Sequence, residues 1–425
     1  MNAAHDLPHA FRGQVHLPGS DSYDDARATW GNKVDQRPAI VAEALTPADV
    51  RAAVVTAQEL DVPFAVQATG HGTRVACDGG LLLKTSQMSE VLVDPDRQTA
   101  RVGPGARWGD VIAASAPLGL APLSGTSTSV GVTGYSLGGG FGWLSRQYGF
   151  AADSLLRVDI VTADGRHVTA SADRNADLFW AVRGGGANFG VVTALEFRLY
   201  PVARVYAGTA VFAVERAAET LVRYRDWAAT QPDELNVSIV VTKDALAIRG
   251  LYAGEADDAR RALRPLFEAA GTPVADDFRV MGFADSGSIG GTAPRQFDLF
   301  ERLPDEVIAA VVDAPANAVE VRHWGGAIAQ PGPGAGPAGH RDLPFSITVD
   351  GPVEAADGLA PYATGDSFLN FLADPQRTHT AFTAANWERL RELKRTYDPD
   401  NVFGLTHNVA PARAARPRMY YRASA

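Results

Sequence analysis

"GVTGYSLGGGFGW", residues 131–143, is the stretch whose reading decides the fold. Within it Gly134-Tyr135-Ser136-Leu137-Gly138 matches G-x-S-x-G, the sharp turn on which many hydrolases mount a nucleophilic serine. Such an elbow needs a strand before the serine and a helix after it, because the helix N-terminus helps to stabilise the oxyanion. Four glycines follow Ser136 within six residues, at Gly138, Gly139, Gly140 and Gly142. Each costs roughly 1 kcal/mol against alanine in a helix, so no helix is expected after Ser136 and no nucleophile at it.

Glycines at this density have another use. They let backbone N–H groups approach an anion closely, and successive N–H groups form concavities that bind phosphate. The chain has 42 glycines and gathers clusters in its first half: Gly70 and Gly72, Gly103 and Gly105, Gly125, Gly131 and Gly134, Gly138 to Gly142, and Gly184 to Gly190. A phosphate-bearing cofactor held mostly by main chain accounts for them together. It is not held in a Rossmann site, since no G-x-G-x-x-G sits between a strand and a long helix with an acidic residue about 20 positions on. The P-loop pattern is missing as well.

The chain of 425 residues exceeds the roughly 250–300 at which single cores stop growing, so two domains are expected. Its 46% hydrophobic and 21% charged residues are those of a globular protein. A formal net charge of −10 and the lack of any basic run argue against nucleic acid as a partner. The only cysteine, Cys77, rules out an intramolecular disulfide and a Cys-based zinc site, and no resident metal is expected. No apolar run reaches the ~20 residues needed to cross a bilayer, and the first residues lack the pattern of a secretory signal. The expectation is a cytoplasmic protein with no membrane partner.

Between residues 45 and 72, Thr46 caps a helix with Pro47 at its first position and Asp49 three residues after the cap; Val50, Val54 and Ala57 recur at helical spacing up to about Leu60. "VPFAVQA", residues 62–68, is a short apolar strand that runs into Thr69-Gly70-His71-Gly72 and so puts His71 on a loop at a strand end. Further strands are expected in 80–84, 99–105 and 155–165, and residues 177–201 read as a short helix, a glycine-rich turn and an alternating strand ended by Pro201. Beyond it, "GTAVFAV" and "LNVSIVVT" alternate like antiparallel strands with one covered face, while residues 215–230 and 257–271 carry helical periodicity. "PGPGAGPAG", 331–339, reads as a flexible surface loop, and "PFSITVD" and "SFLNFLAD" as strands. In residues 386–403 Leu390 and Leu393 mark the buried stripe of a helix ended by Asp398-Pro399.

These motifs resemble a known family. "VQATGHG" (66–72), "DGGLLLKTSQM" (78–88), "VGPGARWGDV" (102–111), "SGTSTSVGVTGYSLGGGFGWLSRQYGFAAD" (124–153), "VDIVTADG" (158–165), "DLFWAVRGGGANFGVVT" (177–193) and "RLRELKRTYDPDNVF" (389–403) follow the order of the FAD-linked oxidases of the vanillyl-alcohol oxidase type, in their berberine-bridge-enzyme-like branch. The resemblance implies an α+β fold: a PCMH-type FAD-binding domain of two α/β subdomains over 1–203, a substrate domain with an antiparallel sheet covered by helices over 204–385, and a C-terminal segment, 386–425, that returns to the FAD domain. It also implies that His71 carries the flavin through a covalent bond to its 8α-methyl carbon. Bicovalent members place a second linking cysteine where this chain has Ser127, so the linkage implied is monocovalent. The family's usual Arg-Gly-Gly-Gly-His-Ser reads here as Gln67-Ala68-Thr69-Gly70-His71-Gly72. Carried over position by position, contacts to FAD fall on Gln67, Ala68, Thr69, Gly70, His71, Gly72 and Thr73; on Gly125, Thr126, Ser127, Thr128, Ser129, Gly131, Val132, Gly134 and Tyr135; on Gly138, Gly139 and Gly142; and on Gly190, Val192 and Asn408.

The activity so implied is removal of a hydride from a small organic molecule, such as a secondary metabolite, alcohol or sugar, with molecular oxygen as a candidate acceptor. Alcohol-oxidising relatives commonly carry a tyrosine three residues before the asparagine corresponding to Asn386, whereas this chain has Thr383 there and Phe382 before it, and neither can act as a base. The substitutes offered by the sequence are Tyr135, His323, Tyr362 and Asn370. Without a base, amine oxidation, a desaturation, or a cyclisation with no net redox change stand as alternatives.

Overall fold

The computed structural model describes residues 11–412, so residues 1–10 and 413–425 of the expected terminal segments lie outside the described chain. The architecture is α+β with three sheets. The first contains β1 (Val15–His16), β2 (Ile40–Glu43), β3 (Phe64–Gln67) and β4 (Leu81–Lys84) in the order β1-β2-β4-β3. Strands β2, β4 and β3 run parallel, and parallel strands need a crossover. The helix Pro47–Glu59 supplies it between β2 and β3, starting at a reciprocal cap: the Asp49 amide donates to the Thr46 hydroxyl at 3.3 Å, and the Thr46 amide to the Asp49 carboxylate at 2.9 Å. Val50, Ala53, Val54 and Ala57 of this helix are buried against Ile40, Phe64, Leu81 and Leu83 of the sheet.

The second sheet is antiparallel, with β5 (Val91–Asp94), β6 (Thr99–Val102), β7 (Leu155–Val161), β8 (His167–Ser171) and β9 (Val191–Arg198) in the order β5-β6-β9-β7-β8. Leu195 and Phe197 of β9 share a core with Leu178, Phe179 and Ala181 of the helix Ala176–Val182 and with Leu390 of the helix Ala384–Tyr397, so the C-terminal segment packs back onto this sheet.

The third sheet is antiparallel and has eight strands: β10 (Arg204–Phe212), β11 (Leu235–Val241), β12 (Leu246–Tyr252), β13 (Ala275–Asp276), β14 (Arg279–Gly282), β15 (Gln296–Phe300), β16 (Ala318–His323) and β17 (Phe345–Asp350). Its order is β13-β10-β12-β11-β16-β17-β15, with β14 also on β10. Successive side chains of a strand point to opposite faces. Val237, Ile239, Val241, Val319, Val321, Ile347 and Val349 therefore share one face, buried beneath the helices Ala217–Ala228, Ala256–Ala270 and Asp305–Asp313. The alternate positions carry Asn236, Ser238, Glu320, Arg322, Ser346 and Thr348, and this polar face is turned towards the loops of the first two sheets.

Two sequence expectations are corrected. "SFLNFLAD" forms turns rather than a strand: the Phe371 and Leu372 amides both donate back to the Phe368 carbonyl, at 2.9 and 3.0 Å, and Phe368 itself is buried among Phe141, Phe150 and Trp324. The loop 331–339 is exposed only in its first half; beyond Ala335 it is buried, and a Cβ on Gly336 would sit 1.9 Å from the Arg183 carbonyl. Among the described residues, no helix is long and apolar enough to cross a membrane.

Candidate functional site

A cleft of about 1360 Å³ lies between the loops of the first two sheets and the polar face of the third. The loop after β3 forms one wall. Gln67, buried, donates to the Ala28 carbonyl at 2.9 Å and accepts from Gln36 at 3.1 Å, which anchors the loop from behind. Gly70 turns the chain with φ +74°, and a Cβ there would press on the Trp30 amide at 3.0 Å. His71 follows on the cleft wall, half-buried, with its ring stacked on Trp30 at 4.0 Å between centroids and 21° between planes. Burial, and then the nearby Lys33 and Arg74 cations, hold its imidazole below the usual histidine range, despite an opposing backbone hydrogen bond.

The opening stretch forms the floor. Residues Val132–Leu137 are a short helix that contains Ser136, which is 1% exposed and does not line the cleft. A serine inside a helix is not on an elbow, and its hydroxyl is not available to a substrate. The helix ends at Gly138 and the chain turns sharply through Gly140, φ +80°, where a Cβ would lie 2.5 Å from the Tyr135 ring. Asn370 reaches across from the turn segment that contains it: its Oδ1 accepts from the Gly140 amide at 2.8 Å and its Nδ2 donates to the Tyr135 carbonyl at 3.1 Å. Both ends of that amide are occupied in holding the glycine turn, so Asn370 is a positioning residue on the cleft wall. The Tyr135 phenol is buried and has no hydrogen-bond partner among the described residues; burial pushes its pKa well up, with Arg322 opposing.

Glu320 and Arg322 from β16 form the roof as a buried ion pair, with Ser346 and Thr348 of β17 beside them. Burial alone would raise the Glu320 carboxyl, but Arg322, the Thr292 amide at 3.2 Å and Arg249 hold it below the usual carboxylate range. The chain closes the cleft with Leu405, Thr406 and His407, tied down by Asn188, which donates to the His407 carbonyl at 3.0 Å and accepts from the Val409 amide at 2.8 Å.

Of the residues read from the sequence, Gln67, Ala68, Thr69, Gly70, His71, Gly72, Thr73, Gly125, Thr126, Ser127, Thr128, Gly131, Gly134, Tyr135, Gly138 and Asn370 line the cleft. Ser129, Val132, Gly139, Gly142, Gly190, Val192 and Asn408 do not. Val132 and Val192 belong to the buried core, and a Cβ on Gly139, Gly142 or Gly190 would meet Phe368, the Ser124 carbonyl or the Val161 carbonyl at 2.7, 2.0 and 2.5 Å; these glycines serve close packing behind the wall. Two proposed proton-transfer residues are misplaced. Tyr362 is 43% exposed and away from the cleft, and His323 faces a separate void of about 10 Å³, where Arg146 Nη1 lies 2.7 Å from its Nδ1. Trp30, Thr292, Glu320, Arg322 and His407 are cleft residues not picked out from the sequence. "AVEVRH" held the signal for two of them: charges at alternate positions of an otherwise apolar strand belong on a face the helices do not cover.

The residues present fit FAD. The cleft exceeds the roughly 300–1,000 Å³ of ordinary small-molecule pockets, as a dinucleotide and a substrate together require. A Cβ on Gly72 or Gly134 would meet nothing within 4 Å, so bare backbone faces open space there. The Tyr135 hydroxyl and His407 Nδ1, both on cleft-lining residues, are buried without a partner among the described residues, polar atoms of the kind that a ligand rich in donors and acceptors satisfies. Among the described residues there is no group of three or more His, Cys, Asp or Glu able to hold a metal ion.

Comparison with known proteins converges on the same cofactor. Residues 38–171 match the FAD binding domain family, and residues 364–410 the berberine and berberine like family. The chain is 29% identical to (R)-6-hydroxynicotine oxidase of Paenarthrobacter nicotinovorans over 95% of this chain and 98% of the relative. The crystal structure of 6-hydroxy-D-nicotine oxidase from Arthrobacter nicotinovorans superposes with a TM-score of 0.85 at 26% identity, over 95% of this chain and 99% of that one. Glucooligosaccharide oxidase from Acremonium strictum, whose FAD is 6-S-cysteinyl, 8α-N1-histidyl, superposes with a TM-score of 0.82 at 25% identity, over 94% and 97%. With both families matched in order, and the cleft bounded by glycine loops, the chain is an FAD-linked oxidoreductase that resembles the berberine-bridge-enzyme-like family in its FAD-binding and C-terminal segments.

Proposed function

We propose that this oxidoreductase takes a hydride from a small organic molecule to an FAD held covalently by His71 alone, with molecular oxygen as the final acceptor. The observation that carries the proposal is the position of His71: it stands on the cleft wall at a strand end, half-buried and stacked on Trp30. An imidazole held below its usual pKa is neutral near pH 7 and keeps a nitrogen lone pair free for a covalent link. Ser127, on the same cleft, has no thiol to offer a second link. When bound, the flavin supplies the electron sink, its N5 receiving the hydride.

The chain's own part is to orient the substrate carbon and exclude water, and it does so without a strong general base. The Tyr135 phenol is pushed up and the Glu320 carboxylate is held down in its ion pair, so neither is matched to accept a proton near neutral pH. Phe382 stacks on Trp387 and the Thr383 hydroxyl accepts from the Asn386 amide at a helix start, so both are engaged away from the cleft. The expected outcome of expression is a yellow protein whose colour stays with the acid-precipitated chain. His71→Ala is expected to release the flavin into the supernatant, and Ser136→Ala to leave flavin content unchanged. A colourless protein from cells supplied with riboflavin would overturn the proposal, as would flavin that leaves the wild-type chain on precipitation. Hydrogen peroxide formed during substrate screening tests the acceptor.

A further inference from the structure

We infer that the cleft recognises its substrate through a carboxylate group, received by Arg322. This rests on the oxidoreductase reading above and adds the charge of the substrate to it. The register of the third sheet brings the relevant side chains onto one face: Arg249 of β12 is opposite Ser238 of β11, Ser238 is opposite Arg322 of β16, and Arg322 is opposite Ser346 of β17. Glu320, two residues from Arg322, is opposite Thr348. Arg322 and Glu320 side chains are only 9% and 6% exposed, and the exposure they have is to the cleft.

A guanidinium carries five N–H donors in a fixed plane. The single side-chain hydrogen bond that Arg322 makes among the described residues goes from Nη2 to Glu320 Oε1, while Glu320 Oε2 accepts from the Thr292 amide. The plane of the guanidinium is held by two rings, with its carbon 4.4 Å from the Trp143 ring centroid and 5.2 Å from that of Phe141. Donors are left over, and their direction is fixed before any ligand arrives.

The charge on this wall is unbalanced. Glu320 is the only carboxylate among the described cleft-lining residues, and it faces two guanidiniums, Arg322 beside it and Arg249 behind it. Arg249 makes one long contact, 3.3 Å to the Thr292 hydroxyl, and its buried Nε has no partner among the described residues. A desolvated cation without a counter-charge is costly, and a cationic amine placed here would add to that cost. A neutral polyol would leave it as it is. A carboxylate removes it, and fork-to-fork pairing with a guanidinium gives the added selectivity for a planar anion.

The test uses the holoenzyme and three probes of one shape and different charge: benzoate, benzamide and benzylamine, titrated against the visible flavin spectrum. The expected result is that benzoate binds about tenfold or more tighter than benzamide, which is roughly 1.4 kcal/mol or more, and that benzylamine binds more weakly still. Arg322→Met is expected to abolish the preference for benzoate. Because that variant leaves Glu320 unpaired, Glu320→Gln/Arg322→Met is measured beside it and is expected to lose the preference as well. Failure of benzoate to bind, benzamide or benzylamine binding as tightly as benzoate, or an unchanged benzoate preference in the double variant would each overturn the inference. Such an outcome in a yellow, acid-stable flavoprotein defeats the substrate assignment alone, whereas a protein without flavin defeats the oxidoreductase reading on which it rests.

Discussion

On β16, parity separates side chains of similar chemistry. Glu320 and Arg322 face the cleft, while His323 shares the helix-covered face with Val319 and Val321. There Arg146 Nη1 donates to its Nδ1 at 2.7 Å, leaving the ring proton on Nε2, and the His323 amide donates to the Tyr224 hydroxyl at 2.7 Å. Burial first, and the Arg146 cation second, push the His323 pKa down to about 4 from an ordinary 6.5. Between those values the unfolded chain binds a proton at this position that the folded chain refuses, so stability rises with pH through the window and is lost as pH falls through it. His407, pushed to about 4 mainly by burial, with Arg74 adding and Asp374 opposing, acts in the same direction. The urea midpoint is therefore expected to drop as pH is lowered from 6.5 to 4. His323→Gln keeps an acceptor for Arg146 but does not titrate, and should flatten that drop; identical slopes in variant and wild type would rule the histidine out as a source. At this scale the sequence was legible where local geometry sufficed: a strand end followed by glycines put His71 in its place. His323 turns away from the cleft because its side depends on strand pairing and on which face the helices cover, and Tyr362 because it ends a short 3-10 turn, Ala360–Tyr362, at the surface rather than a strand; no local pattern at a lone aromatic or imidazole records either.

The helix Ala384–Tyr397 shows the same division at the scale of an element. Its apolar stripe predicted that Leu390 is buried, and Leu390 lies at 0% exposure in the core of the second sheet. Nothing in the stripe predicted Lys394, because lysine is almost never fully buried unless paired. Here it is fully buried with Asp398, Nζ to Oδ2 2.7 Å, and it also donates to the Asn188 carbonyl at 2.8 Å and the Phe403 carbonyl at 3.3 Å. Asp398 in turn accepts from the Val402 and Phe403 amides at 2.8 and 2.9 Å. The pair thus fastens the end of the helix to the glycine-rich segment before β9 and to the chain that carries His407 to the cleft. Removing one partner of a buried pair leaves the other uncompensated, so Lys394→Met is expected to cost about 3–5 kcal/mol in denaturant unfolding. A loss below about 1 kcal/mol would place the pair among ordinary surface contacts. The variant should also retain less flavin, since the His407 segment loses its anchor; full retention would show that the tail is held by Asn188 alone.

In the whole molecule the cleft is a joint between the FAD-binding sheets and the third sheet, so its shape depends on what clasps the two. Aromatic packing supplies part of the clasp: Phe141 stacks on Trp324 at 4.9 Å, and Phe150 and Phe368 meet the same indole edge-on at 5.6 and 5.4 Å. The rest is charged. Arg341 makes two parallel hydrogen bonds to Asp153, at 2.9 and 2.8 Å, while its guanidinium lies over the Phe150 ring at 4.4 Å. The glycine- and proline-rich composition of 331–339 pointed to a mobile loop, because composition records backbone freedom and not the partner that removes it. The partners are distant in sequence: Arg183 donates to the Gly334 carbonyl and Asp153 receives Arg341. Arg341→Met keeps a stem of similar length to pack on Phe150 and deletes the charge-assisted pair, each bond of which is worth roughly 1.5–3 kcal/mol. The expected effect is local, because Asp153 keeps the Phe150 amide at 2.9 Å and the third sheet keeps its ladder. Hydrogen exchange should therefore speed up in peptides covering 331–343 while β11 and β16 exchange as in the wild type. Exchange that rises equally in all three would mean that the arginine supports the stability of the whole chain, and exchange that rises in none would mean that the aromatic cluster holds the joint without it.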